Sequence, residues 1–282
     1  MKVKRSERLI DLTRYLLDHP RELISLPFFV NRYDSAKSSI SEDLAIIRRT
    51  FANRGLGQIQ TLPGAAGGVQ YLPGVTADEA ANFLEMLALK LSESDRLLPG
   101  GYLYLSDLLG NPTYLRKIGR LIAAQYADQK VDAIMTVATK GIPIAQSVAA
   151  CLGVPFVIVR RDARITEGAT VSVNYVSASS ARIAKMELSK RSLSEGAHVV
   201  IVDDFMKGGG TIHGMHDLLK EFDAHLVGIT VFAEGHFTGE RAEKDYTSLL
   251  NVITVDTATH LIKVDLGNYL GKLTQINARQ SL

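Results

Sequence analysis

The sequence predicts an α/β protein in two parts: a small helical module with a β-hairpin over residues 1–74, and a mostly parallel-sheet domain over 75–282. Three observations predict this. Three amphipathic helical segments are followed by two short β-compatible runs. Strand-like and helix-like segments then alternate from residue 134 onward. The charge is also divided: residues 1–73 carry 11 Lys/Arg against 7 Asp/Glu, whereas the remainder carries 21 against 23. At 282 residues the chain is long for one domain and comfortable for two. The basic N-terminal part points to an anionic partner.

The first helix starts at Ser6-Glu7 and runs to His19, with Leu9, Leu12, Leu16 and Leu17 at helical spacing and Pro20 as its stop. A second, short helix fits Pro27–Tyr33, with Pro27 near its first turn. A third fits Ser38 or Ser39 through Arg54; Ile40, Leu44, Ile47 and Phe51 line one face, and Gly55 ends it. Gln58–Leu62 and Val69–Leu72 then flank a Gly-rich tip at Gly64–Gly68. Three helices and a hairpin in this order make a winged helix. The third helix opens on small polar residues, which suits entry into the major groove of double-stranded DNA. The expected DNA contacts are Lys4, Arg5, Lys37, Ser38, Ser39, Arg48 and, on the wing, Gly67. The alternative is a small helical dimerisation module.

Pro73-Gly74 breaks the pattern. Thr76 opens a further helix with a capping box to Glu79. Its apolar face, Phe83, Leu84, Leu87 and Leu91, suits packing between domains, across a dimer or within one core. After a second break at Pro99-Gly100-Gly101, strands are predicted at Ile134–Val137, Phe156–Val159, His198–Val202 and Leu226–Phe232. Helices are predicted at Ile142–Leu152 and Ile212–Phe222. Such alternation implies a parallel sheet covered by helices, with ligands beyond the carboxyl ends of the strands.

The most informative segment is HVVIVDDFMKGGGTIHGM, residues 198–215. An apolar strand delivers Asp203 and Asp204, and a loop follows: Phe205, Met206, Lys207, Gly208, Gly209, Gly210 and Thr211. Glycines let backbone N–H groups approach a phosphate closely at a helix N-terminus. Two carboxylates beside such a cradle would repel the phosphate itself. They fit sugar hydroxyls or a phosphate-bound Mg²⁺. The G-x-G-x-x-G and Walker A patterns are both absent from it.

This segment resembles the phosphoribosyl pyrophosphate (PRPP) motif of type I phosphoribosyltransferases. The resemblance implies that Asp203 and Asp204 hold the ribose hydroxyls and that residues 206–211 cradle the 5′-phosphate. It also implies that Thr139-Lys140-Gly141 forms the pyrophosphate loop. The region Arg160–Leu193 corresponds to a hairpin that closes over the diphosphate; Arg160, Arg164 and Tyr175 lie in it. Lys207 departs from the enzymes, which have a small or hydroxyl residue there, and the sequence shows no hood to recognise a base.

Over essentially its whole length the chain is similar to the purine operon repressors of Gram-positive bacteria. The likeness rests on KRSERLIDLT, SAKSSISEDL, LPGAAGGVQYLPG, LPGGYLYLSDLLG, ATKGIP and DDFMKGGGT. It implies a winged helix joined to a type I phosphoribosyltransferase-like domain. The function implied is that of a homodimeric repressor of purine biosynthesis and salvage genes, with PRPP and Mg²⁺ as effector and no catalysis. Tyr102 is assigned to the effector pocket or the dimer contact. The rival readings are an active purine phosphoribosyltransferase with an appended DNA-binding domain, and a regulator sensing another purine nucleotide.

Three further features complete the reading. His213 and His216 stand at i, i+3, a spacing that allows a metal pair, but no third ligand is evident and surface histidines are the expectation. Cys151, the single cysteine, reads as a core residue. Asp11 and Arg14 interrupt any signal-peptide core, no apolar run approaches about 20 residues, and a cytoplasmic location is expected.

Overall fold

The computed structural model describes residues 3–64, 67–162, 165–177 and 182–280. The alanines at the wing tip, 65 and 66, lie outside the described residues, as does Arg164.

The N-terminal module contains α1 (Arg5–Asp18), α2 (Leu26–Tyr33) and α3 (Lys37–Arg54), then β1 (Gln58–Leu62) paired antiparallel with β2 (Gly68–Leu72). Its core is Leu12, Leu16, Phe29, Ile40, Leu44, Ile47, Phe51 and Val69. Leu12, Leu16, Ile40, Leu44, Ile47 and Phe51 are positions that the periodicity marks, whereas Leu17, also expected on the α1 face, is exposed. Pro20 and Ile24 bridge Tyr71 and Val69, so the hairpin is extended by the chain between α1 and α2. One ion pair is buried inside this core. Asp43 is fully buried, and its two oxygens accept from Arg8 Nε at 2.5 Å and Arg5 Nε at 3.1 Å. Charge counting does not separate these pinning residues from the solvated ones.

The second part runs α4 (Ala77–Leu91), β3 (Leu97–Leu98), β4 (Tyr102–Leu103), α5 (Ser106–Leu109), α6 (Pro112–Gln125), β5 (Ala133–Val137), α7 (Gly141–Leu152) and β6 (Phe156–Val159). It continues with β7 (Thr170–Ser177), β8 (Arg182–Ser189), β9 (His198–Met206), α8 (Gly210–Lys220), β10 (His225–Gly235), β11 (Thr247–Asp256), β12 (Leu261–Leu266) and α9 (Tyr269–Gln280). The main sheet has the order β12-β11-β10-β9-β5-β6 and is parallel except for its β12 edge. One face is covered by α4, α6, α7 and α9, the other by α8 and the β7–β8 hairpin. The expected parallel sheet is therefore present.

Two expectations are refined. Helix α4 buries Phe83, Leu84, Leu87 and Leu91 in the core of this part and packs on β12 and α9, so core packing is the alternative realised. Thr76 Oγ1 caps it by accepting from Glu79 N at 3.1 Å. The Glu79 carboxylate does not complete the capping box; it accepts from Arg120 on α6. The elements that the sequence does not mark, β3, β4, α5, α6, β11, β12 and α9, lie outside the motif-bearing strands.

Candidate functional site

Strand β9 is the centre of the site. It is longer than its apolar run, because pairing with β10 continues past the acids: Asp203 opposes Val231, Phe205 opposes Ala233 and Met206 opposes Glu234. Phe205 and Met206 are thus strand residues, not loop residues. Met206 is buried in the core beneath α8 and Phe205 packs into the opposite core. The connection is only Lys207–Gly209, and α8 begins at Gly210, so Gly210 and Thr211 occupy its first turn. Gly209 is left-handed, with φ +80°, which is why the chain turns there. The N–H groups of α8's first turn have no intrahelical acceptor and are available to an anion.

The Thr139-Lys140-Gly141 loop meets the same point. It follows β5, the neighbour of β9, and leads into α7. Thr139 Oγ1 lies 3.2 Å from Asp203 Oδ1 and 3.0 Å from Asp204 Oδ1, and accepts from Gly141 N at 3.1 Å. One hydroxyl proton cannot serve two carboxylates. Both contacts are satisfied when one acid is protonated. Burial, then the neighbouring Asp204 charge, push the Asp203 carboxyl well above the usual carboxylate range. Gly141 is required by space, since a Cβ there would stand 2.4 Å from Thr136 Oγ1 and 2.9 Å from Asp203 Oδ1. Lys140 is exposed at the helix start.

The glycine loop is backed by residues 236–246, which carry no motif. Arg241 Nε donates to Lys207 O at 3.0 Å and Ala242 N donates to Gly208 O at 3.0 Å. Arg241 is held in turn by buried Glu234, which accepts at 2.5 Å, and by Gly235 O. Sequence reasoning misses these supports because some 30 residues separate them from the loop.

Other expected residues lie elsewhere. Arg160 is committed to Glu167 at 2.9 Å and its backbone bridges Glu187. Tyr175 is 5% exposed and packs under α8 at Gly214, where no larger residue fits; it is a core residue and not a diphosphate contact. Tyr102 is 67% exposed in the β3–β4 hairpin. In the N-terminal module, Lys4, Lys37 and Ser38 are exposed, and Ser39 and Gly67 half-buried. Arg5 pairs with Asp43 and Glu42. Arg48 donates from Nε to Ile59 O at 3.0 Å and from Nη2 to Thr61, tying α3 to the wing.

Comparison with known proteins matches residues 4–73 to the family model "Bacterial purine repressor, N-terminal" and residues 105–266 to the phosphoribosyl transferase domain. The chain is 55% identical to the purine biosynthesis transcriptional activator of Lactococcus lactis over 266 residues, covering 94% of this chain and 98% of that protein. It is 53% identical to the purine biosynthesis transcriptional repressor of Bacillus subtilis over 270 residues, covering 96% and 95%. A xanthine phosphoribosyltransferase of Deinococcus deserti is 29% identical over 178 residues, covering 62% of this chain and 90% of that protein.

Proposed function

The chain belongs to the bacterial purine repressor family, and from that premise we propose how its pocket controls its hold on DNA. It is a DNA-binding transcriptional regulator of purine biosynthesis genes and not an enzyme, as its high-identity relatives are regulators. The proposed effector is PRPP, bound in the domain of residues 75–282 and read out by the module of residues 1–74.

The observation that carries this reading is the convergence of Asp203, Asp204, Thr139 and the starts of α7 and α8 at one end of the sheet. Two helix N-termini favour two phosphate groups. Lys140 supplies a mobile cation for the diphosphate. The amides of Gly208–Thr211 serve the 5′-phosphate, and the acid pair accepts from the ribose hydroxyls between them. The hard oxygen donors of Asp203 and Asp204 also suit Mg²⁺, which, when bound with PRPP, would neutralise phosphate charge. Arg160, already paired, acts as a rim residue that becomes available only if Glu167 releases it. The regulator is proposed to act in the cytoplasm as a homodimer that places two winged helices on one duplex.

Fluorescence anisotropy of a labelled purine-gene control region, with and without PRPP and Mg²⁺, tests this. PRPP is expected to change DNA affinity in the wild type and not in Asp203→Ala/Asp204→Ala. An unchanged affinity in the wild type at saturating PRPP overturns it. Formation of nucleotide from PRPP and a purine base would favour the enzyme reading instead.

A further inference from the structure

Helix α8 carries His213 and His216 nearly one turn apart, and the 236–246 segment inserts Glu243 between them. His213 Nδ1 is 2.8 Å and His216 Nδ1 is 3.0 Å from the same atom, Glu243 Oε1. One donor atom from each of the three lies within 4.8 Å of the others. All three residues are half-buried, so they are both ordered by their surroundings and open to an ion from solvent. On the far side of its ring, His213 Nε2 faces Asp217 Oδ2 at 3.4 Å.

We propose that His213, His216 and Glu243 form a site for a borderline divalent transition-metal ion of the Zn²⁺ class. Two imidazoles and one carboxylate make neither an all-oxygen set for Mg²⁺ or Ca²⁺ nor a thiolate set for a soft ion. They match zinc and its neighbours. Ligands at about 2.0–2.1 Å from a tetrahedral zinc stand roughly 3.3 Å apart, close to the 2.8 and 3.0 Å already present here. To bind it, each imidazole takes its Nε2–H tautomer and frees the Nδ1 lone pair, and both nitrogens and the carboxylate oxygen turn toward the ion. Ligation through Nδ1 leaves the His213 Nε2–H pointing at Asp217, the carboxylate–histidine–metal arrangement that fixes ring orientation. Three protein ligands leave a fourth position for water or for an outside ligand.

The carboxylate is not needed merely to fasten the segment. Arg241 and Ala242 already hold it to Lys207 and Gly208. Glu243 N lies 3.3 Å from where a Cβ on Gly209 would sit, so an occupied site would stand directly behind the glycine loop. The proposal does not depend on PRPP being the effector.

The test uses the full chain, stripped with EDTA and titrated with Zn²⁺ by calorimetry, with Co²⁺ as a spectroscopic probe of tetrahedral coordination. One Zn²⁺ per chain is expected, lost in His213→Ala/His216→Ala. Glu243→Gln should weaken it at least about tenfold, and Asp217→Asn by about 10–100-fold, as supporting residues do. The chain has 7 histidines, and His198 and His225 form another close pair. His198→Ala/His225→Ala should therefore bind Zn²⁺ as the wild type does. Wild-type affinity in the His213/His216 variant, or no Zn²⁺ bound by the wild type, overturns the proposal. Should that variant fail to fold, judged by melting in EDTA, the single Glu243→Gln and Asp217→Asn variants decide, and unchanged affinity in both overturns it.

Discussion

Arg21 Nη1 donates to the carbonyl oxygen of Leu152 at 3.3 Å. Leu152 is the last residue of α7, and the first is Gly141, beside Asp203. A 12-residue helix is about 18 Å long, so one rigid rod joins the Thr139-Lys140-Gly141 loop to the N-terminal module. The arginine sits where the helix exposes unpaired carbonyls and the negative end of its dipole. The same guanidinium donates to Gln129 O at 2.5 Å and Val131 O at 3.4 Å. Pro20 closes against Gly153 next to it. A shift of α7 on effector binding would thus reach the chain between α1 and α2 directly.

Removing this junction should uncouple the two functions. Arg21→Ala is expected to destabilise the chain by about 1–3 kcal/mol, since three carbonyls lose a charged donor. PRPP affinity should be nearly unchanged, while the ratio of DNA affinities with and without PRPP falls toward one. Urea denaturation gives the first quantity and paired DNA titrations the second. A ratio equal to that of the wild type would remove α7 and Arg21 from the coupling.

The acid pair should limit the stability of the unliganded protein. The folded state raises the Asp203 pKa, so it favours the protonated acid more than the unfolded chain does. Its contribution is fully present below the ordinary carboxylate value of 3.8. It is lost as pH rises through the raised folded value. Asp203→Asn keeps an oxygen for Asp204 N, which now donates to Asp203 Oδ1 at 2.9 Å, and removes the charge. The variant should be more stable than the wild type at neutral pH, by roughly 0.5–2 kcal/mol, and yet fail to bind PRPP. The difference should shrink toward zero in acid. Urea midpoints over a pH series check this; a variant less stable at neutral pH would contradict it.

Gly141 admits no side chain. Gly141→Ala brings a methyl group to 2.4 Å from Thr136 Oγ1 and close to Asp203. The loop must move away from the acid pair, at a cost of about 1–3 kcal/mol. Thermal melting should show the loss, and calorimetry should show PRPP binding weakened. Gly271→Ala meets nothing within 4 Å and serves as the neutral control.

What is legible in the sequence follows from how local each signal is. Strand β9, the acid pair and the glycine run are contiguous, so their order alone announces an anion site. The faces of α3 and α4 are set by short-range periodicity and are occupied as read; on α1 Leu12 and Leu16 are buried, whereas Leu17 is exposed. The errors share one physical cause, which is partnership across long stretches of chain. Phe205 and Met206 read as loop because the glycines follow them, but the ladder to β10 keeps them in the strand. Tyr175 falls in the hairpin that the resemblance places over the diphosphate, but the packing of α8 on the β7–β8 hairpin buries it. Glu243 is 27 residues from His216, so no local pattern marks it as the third member of that cluster.

The same long-range view divides the basic residues of the N-terminal module into two groups with opposite predicted behaviour. Lys37 is exposed at the start of α3, and the ion pairs of this module, made by Arg5, Arg8, Arg14 and Arg32, do not include it. Arg48 spends both ends of its guanidinium on β1, at Ile59 and Thr61. A side chain that neutralises a DNA phosphate releases counterions, so its loss lowers the slope of log affinity against log salt by about 0.9. Lys37→Ala should therefore weaken binding to all sequences alike and reduce that slope by about 0.9, leaving stability within about 0.5 kcal/mol of the wild type. Arg48→Ala should do the reverse. The hairpin loses its tie to α3, stability falls by about 1 kcal/mol, and DNA affinity drops through wing disorder with the salt slope unchanged. Measuring both variants at several salt concentrations, with melting curves alongside, separates the two roles. If Arg48→Ala lowers the slope by as much as Lys37→Ala while melting like the wild type, Arg48 leaves Thr61 for the phosphate backbone, and the wing is held by β1–β2 pairing alone.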